Sequence, residues 1–525
     1  MKKLLYSFLI FLFMSGSAFA GTYYVDFDAG DDTNNGTAEV TPWRTLPGTY
    51  GQTTWGAITS SNKIPAPSTI YIKAGTTHSS ADPIKGNISI NSTYYASPTQ
   101  ESERITITVS PDWGTGHAII NGTGLTYGAT HTTQLLSVLF LSYITVRGND
   151  DTRRLKFQNA SVNGVWIGGT SGTHRQYQKL NYLYVSNCGI GIGFSYSDNF
   201  TVENTYTTLN ATAGIMTGGG SGEVCATGTI QNCESNGDCI APSSSAGICV
   251  MDATDVLVKD CTVYGARNNF NYGVQGGTGS CSVTTVNCVS YNTPNAGFRC
   301  SGGGPATTDT CVYIYINCIA YDCNTDVGET TGIYHSYNGC TVKWYHCIAD
   351  RRSGAGGLFT ADAEDPYGDV KVYARNNVGY HPSGSGNVWM YRIIEWGATY
   401  KVIIDINYNT YDITGLFAFA RVRSAGGTWD DKTFTTWKTE NRFGGIPDAN
   451  SSTSTTIDDY WTDVVNHIYT INSASSPLIN VGTYLNTPSD VLLDKNGIPR
   501  SNPPEVGPYE YGNPSTVQGL IIMGR

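Results

Sequence analysis

Charged residues are scarce in this sequence. Only 14% of its 525 residues are Asp, Glu, Lys or Arg, and the formal net charge is -11. A protein that holds the nucleic-acid backbone needs a basic surface, so we expect no nucleic-acid partner. Low charge combined with 61 Gly and 35 Tyr is typical of extracellular β-proteins.

Long apolar runs are missing beyond the N-terminus. Residues 1–20 read MKKLLYSFLIFLFMSGSAFA, with two lysines, an apolar core and a terminal Ala-Phe-Ala. These features predict a secretory signal peptide that is cleaved after Ala20. No later run is long enough to cross a bilayer, so we expect no membrane span. The mature protein is therefore predicted to be exported, either secreted or periplasmic.

The 14 cysteines include no Cys-x-x-Cys pair, so the sequence gives little support for a zinc site. They all lie between Cys188 and Cys347, and many recur at fixed places in a repeat. We interpret them as small apolar side chains that point into a core. An exported location permits disulfides between neighbouring repeats but does not establish them.

A short pattern recurs from about residue 155 to residue 409. Each copy has a β-rich segment, then Asn or a substitute, then a small residue, a polar turn and a Gly followed by an apolar residue. The Asn position is occupied by Asn159, Asn187, Asn204, Asn232, Asp260, Asn287, Asn317, His346, Asn376 and Asn407. A pattern that recurs regularly along the chain predicts stacked repeats. We expect the Asn side chains to form hydrogen bonds with one another and with the backbone of the turns.

The segments before the Asn alternate between apolar and polar residues. Leu155 and Phe157 flank Lys156, and Val342 and Trp344 flank Lys343, so one face is consistently apolar. A period of two predicts strands, and short strands separated by Gly-rich turns predict a solenoid of parallel sheets. The segment YIYINC has its aliphatic residues one place later, which leaves its register open between a shift and a bulge.

The two ends of the chain carry a resemblance to a known group of proteins. Residues 23–46 read YYVDFDAGDDTNNGTAEVTPWRTL and are followed by STIYIKAGT at 68–76, while SSPLINVGTY, DKNGIPR and VGPYEYG lie near the C-terminus. This order resembles the secreted bacterial right-handed parallel β-helix proteins of the pectate-lyase-like superfamily. The resemblance implies an all-β fold with a cap at residues 21–67, a right-handed parallel β-helix at 68–409, and a capping and decorating segment at 410–525.

That superfamily includes lyases, hydrolases, epimerases and non-enzymatic surface proteins, so the resemblance leaves the activity open. In it, substrates lie along an outward sheet face. The second residue after each repeat Gly is expected to point outward, and aromatic side chains there suit sugar rings. The predicted polysaccharide-binding residues are Trp166, Gln275, Tyr334, Phe359 and Trp389.

Charged residues near this column are candidates for catalysis. The run ADAEDPYGD is the densest acidic stretch of the repeat region and predicts either a solvated loop or a Ca²⁺ site made by Asp362, Glu364, Asp365 and Asp369. A β-eliminating lyase also needs a base beside a neutralised uronate carboxylate. The candidates by residue type are Lys343, His335, Arg299 and Arg352.

No complete enzyme signature is present. The polygalacturonase pattern would place GHG and RIK after an Asn-Thr-Asp triplet, and this chain has only the triplet at 324–326. Two functions remain open. One is a secreted carbohydrate-active protein, a calcium-assisted lyase of uronate-containing glycans. The other is a non-catalytic extracellular β-helix that binds glycan or forms part of a matrix.

Overall fold

The computed structural model describes residues 20–511 except 80–85, 126–133, 153, 171, 219–224, 240–245, 275–278, 304–310, 324–331, 353–354, 365–366 and 382–386. The predicted signal segment up to residue 19, Gln275 and Asp365 therefore lie outside the described residues. The chain divides into two compact units. Unit 1 comprises Met1–Cys188 and Tyr196–Thr205, and unit 2 comprises Gly189–Ser195 and Tyr206–Arg525.

Unit 1 is built from short strands. These are β1 (Gly21–Val25), β2 (Ser68–Ala74), β3 (Thr77–His78), β4 (Ile88–Asn91), β5 (Ile105–Gly114), β6 (Ala118–Asn121), β7 (Gln134–Leu139), β8 (Ile144–Arg147), β9 (Leu155–Gln158), β10 (Asn163–Gly168), β11 (Arg175–Gln176), β12 (Lys179–Asn181), β13 (Leu183–Ser186) and β15 (Ser197–Glu203). They form three parallel sheets: a first sheet β1-β2-β5-β8-β12-β15, with β11 beside β15, a second sheet β10-β7-β4 and a third sheet β3-β6-β9-β13.

Unit 2 contains the remaining strands. These are β14 (Ile190–Ser195), β16 (Tyr206–Thr208), β17 (Ala213–Thr217), β18 (Cys225–Gln231), β19 (Glu234–Asn236), β20 (Ile248–Met251), β21 (Ala253–Lys259), β22 (Thr262–Tyr264), β23 (Phe270–Gly273), β24 (Ser282–Val286), β25 (Val289–Thr293), β26 (Phe298–Ser301), β27 (Val312–Ile316), β28 (Ile319–Cys323), β29 (Tyr334–Tyr337), β30 (Cys340–Tyr345), β31 (Ile348–Asp350), β32 (Gly356–Ala363), β33 (Val370–Arg375), β34 (Val378–Tyr380), β35 (Val388–Glu395), β36 (Val402–Asn407), β37 (Thr410–Asp412), β38 (Ala418–Arg423), β39 (Trp429–Lys432), β40 (Ser452–Ser454), β41 (Trp461–Asp463) and β42 (Ile468–Ile471).

Three sheets again organise unit 2. The first sheet runs β18-β21-β24-β27-β30-β33-β36, the second β39-β38-β35-β32-β29-β26-β23-β20-β17-β14, and the third β16-β19-β22-β25-β28-β31-β34-β37-β40. Successive strands along the chain visit the three sheets in turn, and each strand pairs in parallel with the equivalent strand of the next coil. Antiparallel pairing occurs between β38 and β39 and between β41 and β42. This is the predicted all-β architecture of a parallel β-helix.

Side chains alternate between the two faces of each strand, and this alternation decides which residues of the first sheet point into the core. Val283 pairs with Tyr313 and Thr285 pairs with Tyr315, and all four side chains are buried. The segment YIYINC therefore has the same register as its neighbours, without a bulge. Its tyrosines point inward and its aliphatic residues outward, and the Tyr313 hydroxyl donates to the Ser301 carbonyl, 2.6 Å away.

The Asn positions close the turns in a left-handed backbone conformation, which Asn tolerates better than most residues. Their φ values lie between Asn204 at 49° and Asn159 at 61°. In unit 1, Asn159 and Asn187 follow strands of the third sheet, whereas Asn204 follows the first sheet. The sequence pattern thus merged two columns, which explains the short interval of 17 residues between Asn187 and Asn204.

Hydrogen bonds connect these turn residues from coil to coil in unit 2. The Nδ2 of Asn317 donates to Oδ1 of Asn287 at 3.2 Å, and Asn287 donates to Asp260 at 3.1 Å. His346 fits the same column, with Nε2 at 3.1 Å from Nδ2 of Asn376. In the last coil Tyr408, not Asn407, takes the left-handed conformation.

The 14 cysteines are all buried and all carry free thiols. Those that follow the Asn column of unit 2 donate to backbone carbonyls of the preceding coil. Cys288 bonds to Val258 at 3.6 Å, Cys318 to Thr285 at 3.5 Å and Cys347 to Tyr315 at 3.5 Å. Small thiols thus fill the tight space beside the turn and still satisfy their weak donors.

The coils continue beyond residue 409, where the sequence predicts that they end. β37 pairs with β34, β38 with β35 and β40 with β37, all in parallel. A single helical turn, α1 (Phe434–Trp437), follows β39, and the Thr433 hydroxyl caps it by accepting a hydrogen bond from the Thr436 N–H. In the part of the chain that the structure covers, no helix is long and apolar enough to cross a membrane.

Candidate functional site

A row of polar side chains follows the outward face of the second sheet of unit 2. Arg299 pairs with His335, His335 with Thr360, Thr360 with Arg392, and Arg392 with Arg421. Each alternates with buried neighbours that point into the core, which puts the row on the opposite face. We call these five residues the basic row. Neighbouring members lie about one strand spacing apart, roughly 4.8 Å.

A His–Asp pair lies in the middle of the basic row. Nε2 of His335 is 3.3 Å from Oδ2 of Asp362, which projects from the next coil, and both residues are buried. The remaining polar atoms, Nδ1 of His335 and Oδ1 of Asp362, are buried and have no hydrogen-bond partner among the described residues. With Nε2 donating to the carboxylate, the imidazole is held in the tautomer whose Nδ1 carries a lone pair. That nitrogen can accept a proton.

A second polar contact lies beside this pair. The Tyr337 hydroxyl donates to Oε2 of Glu364 at 2.5 Å. Burial and this carboxylate raise the pKa of Tyr337 to about 12, so the hydroxyl stays a neutral donor. The Arg299 guanidinium lies 5.8 Å from the centre of the Tyr337 ring. The aromatic ring therefore holds the arginine over the sheet face.

The arginines of the row are poorly hydrated. Burial lowers the pKa of Arg299 and of Arg392, and the negative charge of Asp362 opposes that shift at Arg392. Only 6% of the Arg392 surface is exposed. A guanidinium that is partly desolvated gains more from an anion than one in bulk water, because the local dielectric constant is lower.

The C-terminal end of the row is aromatic. The Arg421 guanidinium lies 4.5 Å from the Trp389 ring and 4.8 Å from the Trp429 ring, and it also pairs with Asp431 at 3.3 Å. Two residues after Arg421 on the same strand, Arg423 lies 4.6 Å from the ring of Trp396. Alternating indole rings and guanidinium groups form a surface with both flat apolar faces and positive charge.

Several predicted residues come together here. Arg299 and His335, predicted as candidate bases, belong to the basic row, and Asp362, Glu364 and Trp389 adjoin it. The pairing of strands β26, β29, β32 and β35 brings them from different coils onto one face.

Tyr334 and Phe359 correct the sequence prediction, because both point inward. Tyr334 is fully buried between Phe298 and Phe359, with ring centroids 5.0 and 5.4 Å apart. Its hydroxyl donates to the carbonyls of Cys318 and Ile348. The pairing of Phe298 with Tyr334 makes His335 the outward residue, one place after the predicted one. The same register turns Phe359 inward and Thr360 outward.

Three predicted residues of unit 2 lie away from the basic row. Lys343 projects from the first sheet, 5.8 Å from the ring centre of Tyr373. Arg352 follows the third sheet and pairs with Asp350 at 3.0 Å. Asp369 accepts a hydrogen bond from the backbone of Lys401 at 2.8 Å, a structural role in the turn before β36. In unit 1, Trp166 is half-buried on β10 of the second sheet.

The predicted calcium ligands have separate partners. Asp362 contacts His335, Glu364 accepts from Tyr337 and Asp369 accepts from Lys401. Among the residues that the structure describes, which exclude Asp365, no three His, Cys, Asp or Glu side chains converge as a metal site. The described carboxylates therefore do not fit the predicted Ca²⁺ site.

The sequence prediction missed Tyr337, Arg392, Arg421, Arg423 and Trp429. The segments YRIIEW and FARVRS lack the repeat glycine that marked the other coils. The available signal was the alternation in Ala-Arg-Val-Arg, which puts two arginines on one face of a strand.

A comparison with models of known protein families agrees with this architecture. A family model described as a right-handed β-helix region matches residues 142–314. No curated protein sequence gives a significant match. A crystal structure of pectate lyase Pel9A is 16% identical, with 95% of this chain and 98% of that chain covered and a TM-score of 0.47. A rhamnogalacturonan lyase is 15% identical, covering 74% of this chain and 87% of that one, with a TM-score of 0.41.

A third similar structure is the A-module of the mannuronan C-5 epimerase AlgE6 from Azotobacter vinelandii. It is 11% identical, with 74% of this chain and 89% of that chain covered and a TM-score of 0.43. The parallel sheets and the matched region together show a right-handed parallel β-helix.

Proposed function

We propose that the basic row binds an acidic polysaccharide and that His335 helps to cleave it by β-elimination. The observation that supports this most is the in-register row Arg299, His335, Thr360, Arg392 and Arg421. Four strand steps of about 4.8 Å give a row of roughly 19 Å, long enough for several sugar units. The protein is acidic overall, at -11, so a local line of arginines favours an anionic ligand at this face.

The proposed chemistry assigns a role to each group. Guanidinium groups bind a uronate carboxylate in a bidentate manner and stabilise the negative charge that develops when C5 loses its proton. Nδ1 of His335 accepts that proton, with the imidazole oriented by Asp362. The C5–H electron pair becomes the C4–C5 double bond, the glycosidic C4–O bond breaks, and the leaving oxygen is protonated by solvent. Asp362 acts as a positioning residue.

In this scheme the arginine guanidinium groups neutralise the uronate carboxylate, the role that a metal ion has in the calcium-assisted scheme. Arg299 and Arg392 flank the His335–Thr360 pair along the sheet. We derive no step through Ca²⁺, because the described carboxylates have other partners. The assay below nevertheless includes calcium, so that the sequence prediction is tested directly.

A non-catalytic function is the second candidate. Its support is the alternation of Trp389, Arg421 and Trp429, which suits sugar-ring stacking, and the low exposure of His335, at 5%. A protein of this kind would bind the same polysaccharide and release no product.

The test is an ultraviolet assay for unsaturated uronate products. The mature protein is incubated with polygalacturonate, alginate and a glycosaminoglycan, each with calcium and with a chelator. We expect absorbance to rise with one of these substrates. In His335→Asn the rise should be lost, and in Asp362→Asn kcat should fall about a hundredfold with KM little changed, as for a general base and its orienting group.

Arg392→Gln and Arg375→Gln form a matched pair. Both arginines project from β-strands of unit 2, but Arg375 lies on the first sheet, paired with Asp405. Loss of Arg392 should raise KM by about tenfold while loss of Arg375 leaves it unchanged, because only Arg392 belongs to the basic row. Absence of product with bound polysaccharide would favour the non-catalytic candidate. Absence of both product and binding would reject the proposed function.

A further inference from the structure

A pocket of about 440 Å³ opens on the outward face of the first sheet of unit 2. It is lined by Val312, Thr341, Lys343, Tyr345, Lys371 and Tyr373. These residues come from three consecutive strands, β27, β30 and β33, which pair in parallel. The basic row lies on a different sheet and shares none of these residues. We call this the lysine pocket.

The strand register brings its two lysines together. Thr341 pairs with Lys371, and Lys343 pairs with Tyr373. The lysines are therefore on adjacent strands and offset by two residues, which puts their Cα atoms roughly 8 Å apart. Both side chains are half-buried and lie on the same face, so two ammonium groups can approach one carboxylate.

Within the described ranges, the Lys343 ammonium has no acidic partner. It lies 5.8 Å from the ring centre of Tyr373, and none of the residues that the structure describes forms an ion pair with it. The nearby carboxylate of Asp405 is already paired with Arg375. A lysine without a carboxylate partner in an acidic protein is a site of local positive potential.

The walls of the lysine pocket include two aromatic rings. Tyr373 and Tyr345 stand on adjacent strands, and Tyr345 is fixed by packing with Val286, Ile316 and Val491. An aromatic face beside a cation is suited to a sugar that carries a carboxylate, since the ring stacks and the charge pairs. The volume lies within the range of small-ligand sites.

We propose that the lysine pocket is a second binding site for the polysaccharide, which holds a uronate unit between Lys343 and Lys371 with its ring against Tyr373. The inference takes the substrate class from the proposed function but needs no catalysis. A second site on another face would keep the protein on a polymer while the basic row releases its segment.

The experiment measures binding of trigalacturonate by titration calorimetry, with neutral maltotriose as the comparison ligand. His335→Asn protein is used so that the ligand stays intact. We expect two sites for trigalacturonate, of which one disappears or weakens by about tenfold in Lys343→Gln/Lys371→Gln. Lys259→Gln is the matched control, because Lys259 also projects from the first sheet but lies outside the pocket.

Protection from acetylation gives a second readout that does not depend on a change in the pocket. Trigalacturonate should slow the modification of Lys343 and Lys371 in the His335→Asn protein and leave that of Lys259 unchanged. Equal binding by the double variant, or equal modification rates with and without ligand, would overturn the inference. Loss of one site in a protein that makes no unsaturated product would support the pocket and reject the proposed cleavage, so the two failures are distinguishable.

Discussion

Replacing Tyr334 by alanine is the sharpest test of which residues face the core of unit 2. The sequence predicts an outward, substrate-binding Tyr334, and the structure puts its ring in a buried stack. That stack runs through Phe270, Phe298, Tyr334, Phe359 and Tyr391, with consecutive centroids 4.7, 5.0, 5.4 and 5.5 Å apart. A surface ring would contribute little to stability, whereas a ring in this stack contributes much.

The size of the effect follows from the contacts. Removing a fully buried aromatic side chain lowers the free energy of unfolding by about 3–5 kcal/mol, because the burial of its apolar surface is lost and a cavity remains. The hydroxyl bonds to the carbonyls of Cys318 (3.0 Å) and Ile348 (3.2 Å) contribute separately. Tyr334→Phe keeps the ring and should cost about 1 kcal/mol. The expected order of destabilisation is therefore Tyr334→Ala, then Tyr334→Phe, then an exposed control.

The measurement is guanidinium unfolding followed by far-ultraviolet circular dichroism. Tyr367→Ala is the control, since 41% of Tyr367 is exposed in the same unit. Its free energy of unfolding should stay within about 0.5 kcal/mol of wild type. If Tyr334→Ala were no more destabilised than Tyr367→Ala, the inward register of β29 would be refuted, and with it the outward position of His335.

Substitutions at three further positions test other parts of unit 2. Burial and the neighbouring Glu510 raise the pKa of Glu505 from 4.5 to about 8, so the folded protein keeps a proton that the unfolded chain releases. The free energy of unfolding should therefore fall as pH rises from about 5 to 9, and Glu505→Gln should abolish that fall in pH-dependent melting curves; an unchanged slope would contradict the assignment. Asn317 has φ 55° and bonds to Asn287 and Leu493. Asn317→Ala should destabilise more than Asn317→Gly by about 1 kcal/mol in urea unfolding, because only glycine adopts that φ freely; equal losses would argue against the left-handed turn. Arg351 is fully buried, and none of the residues that the structure describes forms a hydrogen bond with its three guanidinium nitrogens. Arg351→Met should raise the free energy of unfolding by about 1 kcal/mol or more, and a loss of similar size would show that the charge is compensated.

Much of the fold could be predicted from residues that repeat. Leu183, Val185, Val256 and Val258 alternate with more exposed residues, and a period of two is a property of the strand backbone itself. The inward cysteines followed from their fixed position after the Asn column. Neither inference needed knowledge of which coil lies beside which.

The candidate site could be predicted only in part. His335 and Arg299 were found by residue type, but Tyr334 was assigned to the wrong face. Ile333 and Tyr334 are both buried, so hydrophobicity could not tell which of them begins the alternation. A shift of one residue exchanges the two faces of a strand, and only pairing with Phe298 of the preceding coil decides the register.

Stacked parallel strands with small, buried residues at the turns can be inferred from the amino-acid order, because those properties depend on neighbours along the chain. That Arg299, His335, Arg392 and Arg421 share one face while Lys343 lies on another is known only from the folded chain. Those residues are separated by whole coils and meet only across strand spacings of about 4.8 Å. Their convergence depends on the turn geometry that sends each strand to its sheet, which no local pattern records.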